Sequence, residues 1–236
     1  MPTWVDVNQL VLVQGVRDTR ATLLRWNAAP WRVVRPWTIG AAAISAALLF
    51  AVVAIGSIAT PDGTPILLPG LNTPAGIGSV GDVLYRNSLV LALHAMACVA
   101  GFIAGSSVPL QAQQHTGFTR KLHDRAGPLA IAFVIGATSF SLATQAYALG
   151  SAASTLAAQG DMNVALLVLG LLLHAVPELI ALFLPLAAWI VASRRDEWHE
   201  LLAATFVTVG IATPVLIVAA FVEVYVSPHL ILALRG

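Results

Sequence analysis

Five long apolar segments dominate this sequence, and each is long enough to cross a lipid bilayer. A helix rises about 1.5 Å per residue and the hydrocarbon core is about 30 Å thick, so a span needs about 20 apolar residues. Of the 236 residues, 58% are hydrophobic and only 10% are charged, which leaves too little polar surface for a water-soluble fold. We predict an all-α integral membrane protein with five transmembrane helices at Trp37–Ala59, Tyr85–Val108, Pro128–Leu149, Asn163–Ala192 and Glu200–Val226.

The basic residues are distributed unevenly between the segments that connect these spans. All but two of the 12 Lys and Arg residues precede the first span or lie in the second and fourth loops, and the two exceptions are Arg86 and Arg235. Positively charged loops stay on the cytoplasmic side of a membrane. We therefore expect a multi-pass protein of the cell (plasma) membrane with its N-terminus in the cytoplasm and its C-terminus outside.

The segments outside the spans complete the predicted organisation. Residues 1–36 mix apolar residues with arginines and favour an amphipathic helix lying in the membrane interface, residues 37–226 form the transmembrane domain, and residues 227–236 form a short outward tail. The outer loop Thr60–Leu84 is rich in Pro and Gly, so it is either folded back over the outer ends of the helices or a solvated connector. The inner loop Gln111–Gly127 is predicted to be a solvated turn facing the lipid headgroups.

Charge and cysteine content exclude several classes of protein. The net charge of +1 argues against a nucleic-acid binder with a basic face, and the single cysteine, Cys98, excludes a disulfide framework or a Cys-rich metal site. We therefore predict no cofactor and no resident metal, and the first expected partner is the lipid bilayer.

Four ionisable side chains fall well inside the predicted spans, where each is costly unless it has a partner or water. His174 and Glu178 are four positions apart, so on a helix they share one face and can meet directly. Two interpretations remain open: a functional polar cluster reachable from outside, or a buried His174–Glu178 pair with Glu223 reaching headgroup water. The four residues are His94, His174, Glu178 and Glu223.

Proline and glycine residues within the spans indicate how the helices bend and pack. Pro177 and Pro185 in the fourth span and Pro214 in the fifth cannot donate backbone hydrogen bonds, which predicts kinked or interrupted helices. The alternative is that these prolines only shape the packing. Gly101 and Gly105 form a GxxxG pair, which predicts a close approach of the second and third spans and also fits a homodimer.

Three stretches of the sequence resemble one known family. HAVPELIALFLPLAAWI, from His174 to Ile190, is similar to the signature HGxxELPALxxAGAAGL of the stage II sporulation protein M superfamily. AAFVEVYVSP, from Ala219 to Pro228, resembles the closing AAFIEAxxTP of that family, and the span Arg86 to Gly105 resembles its NNxxVALLAFxxGxxxG segment. Ala175 stands where the family has a glycine after the histidine, and Pro177 precedes the glutamate.

The resemblance implies a multi-pass membrane scaffold that positions partner proteins in a membrane complex, as in envelope remodelling. His174, Glu178 and Glu223 match the polar positions of the family. We therefore expect a scaffold without an assigned catalytic residue. The first alternative is a transport or permease-like subunit in which protonatable His and Glu residues line a path, and the second is an intramembrane metal-dependent hydrolase that uses all four ionisable residues.

Overall fold

The structure is a computed structural model that describes residues 11–107 and 117–235. Within these residues the chain is helical apart from short connections and one isolated β-bridge between Pro69 and Thr73. A π-helical turn (Ile103–Ser107) extends the third helix, and a short 3₁₀ turn (Trp198–Glu200) precedes the sixth. The α-helices are α1 (Val11–Asn27), α2 (Pro30–Ile58), α3 (Ile77–Phe102), α4 (Gly117–Gln159), α5 (Val164–Arg195), α6 (Leu201–Tyr225) and α7 (Ser227–Leu234).

Five of these helices are long and apolar enough to cross a membrane, so the predicted all-α membrane fold is confirmed. Large apolar side chains such as Phe50, Ile58 and Phe133 are 75–85% exposed on them, as expected for residues that contact lipid. The candidate spans are Pro30–Ile58, Ile77–Gly105, Ile131–Gln159, Val164–Arg195 and Trp198–Tyr225.

Several helix ends differ from the sequence prediction. The first spanning helix begins at Pro30, seven positions before Trp37, because proline is well suited to the first turn of a helix. Much of the predicted inner loop is helical, since α4 begins at Gly117 and continues through Pro128. The prediction used apolar content, which indicates where the membrane-spanning part of a helix begins. The helix itself can begin several residues earlier. Residues 1–10 and the 111–116 part of that loop lie outside the described residues.

The prolines do not interrupt the helices. The fourth predicted span corresponds to α5, which is continuous from Val164 to Arg195 through Pro177 and Pro185. The fifth corresponds to α6, which likewise continues through Pro214. Near Pro185, the buried Cys98 thiol donates a hydrogen bond to the carbonyl of that proline, with 3.1 Å between sulfur and oxygen.

By its contacts the chain divides into two compact units. The first contains the described residues of Met1–Gly40, Leu93–Gly136 and Leu184–Gly210, and the second contains Ala41–Ala92, Ala137–Phe183 and those of Ile211–Gly236. In the first unit, the guanidinium of Arg25 on α1 pairs with the carboxylate of Glu200 at 2.7 Å, which joins α1 to the turn before α6.

Gly101 and Gly105, also in the first unit, have different neighbours from those predicted. A Cβ added at Gly101 would overlap the indole of Trp189 on α5, and one added at Gly105 would overlap Trp198 in the turn before α6. The glycines therefore make room for two indoles, which stack edge to face with 6.2 Å between ring centroids. At these two glycines the nearest described neighbours come from α5 and from the turn before α6, so the predicted approach of the second and third spans stays a prediction.

In the second unit, the connection between α2 and α3 is tied to the end of α4. The backbone N–H of Asp62 donates to Thr155 Oγ1 at 2.9 Å, and Ser154 Oγ donates to the carbonyl of Ala59 at 2.8 Å. Asp62 also accepts a hydrogen bond from the backbone N–H of Thr64, and this bond holds the pKa of its exposed carboxyl below the usual value.

The same connection folds back onto the junction of α6 and α7. Gly70 has a φ of +80°, and a Cβ added there would lie 2.7 Å from the carbonyl oxygen of Val224 and 2.8 Å from Pro228 Cγ. The predicted tail is also structured, since α7 forms at residues 227–234 and its Ile231 is buried against Gly170 of α5. The contact of Gly70 with the junction of α6 and α7 favours the interpretation in which the outer loop folds back over the ends of the helices.

We expect Gly70→Ala to destabilise the protein by about 1–2 kcal/mol, because an alanine is strained at positive φ and its Cβ would overlap a carbonyl oxygen. The measurement is chemical denaturation in detergent micelles. Gly63→Ala is the matched control, since nothing lies within 4 Å of a Cβ at that position. Equal stability of the two variants would contradict the packing of this loop.

Candidate functional site

Three ionisable side chains come together in the second unit. α5 carries His174 and Glu178 one turn apart on the same face, since the helix is continuous through both residues. Glu223 comes from α6, two residues before that helix ends at Tyr225. One ligand atom from each of the three residues lies within 4.8 Å of the other two. We call His174, Glu178 and Glu223 the polar cluster.

The polar cluster is largely removed from solvent. His174 is buried, with 7% of its surface exposed, and the two glutamates are partly buried. The carboxylates of Glu178 and Glu223 are close enough to repel each other when both are charged. Arg86, an exposed residue of α3, acts electrostatically on Glu223. The cluster therefore brings two acidic groups together with one nearby guanidinium.

The imidazole of His174 has a partner that the sequence did not reveal. Its Nδ1 lies 2.6 Å from Oγ of Ser227, the first residue of α7, in a buried hydrogen bond. Within the described residues no hydrogen bond joins His174 to Glu178, the pairing that one of the two interpretations of the sequence proposed. Ser227 was missed because residues 227–236 were assigned to an outward tail. The Ser-Pro pair at positions 227–228 is a helix-start signal that could have indicated its position.

Asn87 of α3 is a further polar residue of this region. Its side chain is 9% exposed, and its amide faces Glu178. Within the described chain, neither Asn87 Nδ2 nor Glu178 Oε2 completes a hydrogen bond of good geometry, and both atoms are buried. The site thus contains a carboxylate oxygen whose hydrogen-bonding capacity is not filled by protein groups.

The remaining predicted residue, His94, is not part of the polar cluster. It belongs to the first unit, where its side chain is 1% exposed. The predicted four-ligand arrangement is therefore not assembled by the described residues, which bring three of the four together. The position of a residue along a helix predicts how deep it lies in the membrane. It does not predict how α3 is rotated about its own axis, and this rotation decides which way the His94 side chain points.

Pro177 and Pro214 lie near the polar cluster along the chain but face an apolar groove. Together with Leu173 and Val222 they line a cavity of about 340 Å³ whose surroundings are almost entirely apolar. Pro177 and Pro214 therefore contribute to an apolar surface of the second unit that is suited to contact lipid. Pro185 belongs to the first unit.

The fold and the polar cluster define a class: a multi-pass α-helical membrane protein with a His-Glu-Glu centre inside its spans. Comparison with known protein families, with curated proteins and with solved structures finds no match to this chain. The resemblance to the stage II sporulation protein M superfamily therefore stays a prediction from the residues quoted above.

The chemistry available to the polar cluster follows from its three groups. Two carboxylates and an imidazole can exchange protons, or they can donate electron pairs to a cation. In a medium of low dielectric constant, two adjacent carboxylates are costly unless a positive charge lies between them. The arrangement is therefore suited to hold a cation or a proton.

We expect Ser227→Ala to destabilise the protein by about 1 kcal/mol, because His174 Nδ1 would lose its buried partner. In a double-mutant cycle with His174→Ala, denaturation in detergent should give a coupling energy of about 0.5–1 kcal/mol. Ser57→Ala is the control, since the exposed Ser57 bonds only to a carbonyl of its own helix. Strictly additive losses would exclude the His174–Ser227 hydrogen bond.

Proposed function

We propose that this protein is a transport or permease-like membrane subunit that binds a small cation at the polar cluster. The observation that carries the proposal is the convergence of His174, Glu178 and Glu223 within 4.8 Å of one another inside apolar spans. Ionisable groups within a bilayer are rare because they are costly, and they commonly mark ion or proton pathways.

The distribution of charge supports a particular orientation in this proposal. Ten of the 12 basic residues belong to the N-terminal segment and to the second and fourth connections, so the N-terminus is cytoplasmic and the protein lies in the plasma membrane. Glu223 is near the end of α6 that leads to the C-terminus. The polar cluster is then closer to the outer surface, and the cation enters from outside. Because five spans make a small transporter, the subunit acts as an oligomer or with a protein partner.

The test is cation flux into proteoliposomes that contain the full chain, with any subunits that copurify in mild detergent. A pH-sensitive dye reports protons, and a parallel preparation contains a dye for divalent cations. Glu178→Gln keeps the side-chain shape and removes the charge, so we expect flux to fall about tenfold or more.

Glu197→Gln is the matched control, because Glu197 lies outside the polar cluster in the turn after α5. Its flux should equal that of the parent chain. Absence of any cation flux in the parent chain, or equal flux in parent and Glu178→Gln, would count against this function.

The scaffold role implied by the resemblance is a second proposal, and one feature of the loop between α2 and α3 favours it. The loop is fixed by hydrogen bonds to α4, yet it presents Leu67 with 66% of its surface exposed. A side chain exposed on an anchored loop is accessible to a partner protein, so position 67 is a suitable place to test for one.

A photo-crosslinking residue at Leu67 should capture a protein partner in the cells that produce this chain. The control places the same crosslinker at Asp161, an exposed residue of the connection between α4 and α5. Capture of one protein from position 67 and not from 161 is the expected result. Recovery of the protein alone from both positions would contradict the scaffold role.

A further inference from the structure

We infer that the cation bound by the polar cluster is a divalent transition-metal ion of the zinc type, held by His174, Glu178 and Glu223. This inference rests on the proposed function, because it names the cation that the cluster binds. The three side chains supply one imidazole nitrogen and two carboxylate oxygens, which is a common number and kind of protein ligand for such an ion.

The distances allow the three ligands to reach one ion. Ligands about 2.1 Å from a tetrahedral ion are about 3.4 Å from each other. The ligand atoms here lie within 4.8 Å of one another, so a movement of up to about 1.4 Å at the ends of the two glutamates closes the site. Glutamate side chains make such movements by rotation about single bonds, while the buried imidazole of His174 stays in place.

The charges in the second unit leave the site short of positive charge. Glu178 and Glu223 together carry two negative charges when ionised, and the nearby positive charge of Arg86 acts on Glu223. A divalent ion bound directly to both carboxylates neutralises their two negative charges. The electrostatic attraction is strongest at this direct-contact distance. In a low-dielectric surrounding this compensation decides whether two ionised carboxylates can be adjacent.

Ser227 is placed to orient the histidine ligand. With Nδ1 hydrogen-bonded to Ser227 Oγ at 2.6 Å, the imidazole is held in one orientation and Nε2 is the nitrogen that binds the metal. In metal-binding histidines, the ring nitrogen that does not bind the metal usually makes a hydrogen bond to a neighbouring group. Loss of this hydrogen-bond partner commonly weakens metal affinity about 10–100-fold. Ser227 is thus a positioning residue.

An incomplete hydrogen-bond pattern independently points to a bound ion. Glu178 Oε2 and Asn87 Nδ2 are buried, and the contact between the Asn87 amide and the Glu178 carboxylate falls short of a hydrogen bond of good geometry. Asn87 is about nine-tenths buried and its amide faces Glu178, so the unfilled position lies at the cluster itself. A metal bound to Glu178 fills the vacant electron-pair site of the carboxylate and fixes it against Asn87.

The ligand types select among divalent ions. Mg²⁺ and Ca²⁺ prefer a shell of oxygen ligands, and Mg²⁺ keeps several of its waters. An imidazole favours Zn²⁺ and neighbouring transition metals. We therefore expect Zn²⁺ to bind and a 100-fold excess of Mg²⁺ not to displace it.

The experiment is Zn²⁺ binding to the full-length protein in lipid nanodiscs after removal of metal with a chelator. Equilibrium dialysis with elemental analysis should give about one Zn²⁺ per chain for the parent. Glu178→Gln and Glu223→Gln should each weaken binding about tenfold or more, and Ser227→Ala should weaken it about 10–100-fold. His229→Ala is the matched control, since His229 is an exposed residue of α7 outside the cluster, and its affinity should not change.

Size-exclusion profiles and circular dichroism establish that each variant is folded. If a variant does not fold, Glu178→Asp replaces it, because a shortened carboxylate keeps the charge and should bind Zn²⁺ more weakly. No Zn²⁺ bound by the parent overturns the inference. Equal Zn²⁺ affinity in parent, Glu178→Gln and Glu223→Gln overturns it as well, because the ion would then be bound elsewhere.

The two proposals fail in different ways. Proton flux that depends on Glu178, in a protein that binds no Zn²⁺, overturns the metal site and leaves the proposed function standing. Zn²⁺ binding that depends on the polar cluster, without flux of either ion, supports the metal site and removes the transport role.

Discussion

The absence of hydrogen-bonding partners in the lipid phase is the constraint on which the rest of this structure depends. Hydroxyl groups in the spans satisfy it locally: Ser45 Oγ donates to the carbonyl of Ala41, and Thr208 Oγ1 donates to that of Ala204, each one turn earlier on its own helix. Carboxylates cannot do this, because the backbone N–H groups inside a helix are already used. Glu178 and Glu223 must therefore find donors, cations or water beyond their own helices, and because both are acceptors that repel each other when charged, their proximity calls for a shared proton, cation or water.

Burial explains why α5 carries two members of the polar cluster. Of the five candidate spans, the one on α5 has the largest buried share, 44%, and the Ile131–Gln159 span has the smallest, 11%. A span with a larger buried share has a wider face on which a polar side chain meets protein and not lipid. On α4 the polar groups Thr144 and Gln145 bond within their own helix, as expected for a span that faces mainly lipid.

The fold class and the members of the polar cluster were accessible to sequence reasoning because both follow from local rules. Span number follows from length and hydropathy, and the cost of charge in lipid marks His174, Glu178 and Glu223. The partners of these residues were not accessible, because they depend on how each helix is rotated about its axis. His94 is also ionisable and lies inside its span, but it belongs to the other unit, and Ser227 contacts His174 from a segment that composition assigned to a tail.

The junction between α6 and α7 links the loop between α2 and α3 to the chemistry of the polar cluster. Within six residues it supplies Glu223 and Ser227, together with the Val224 carbonyl and Pro228, which lie next to Gly70. Any displacement of the junction moves a carboxylate and the partner of the imidazole at once. Packing of the loop and geometry of the cluster therefore depend on the same few residues of this junction.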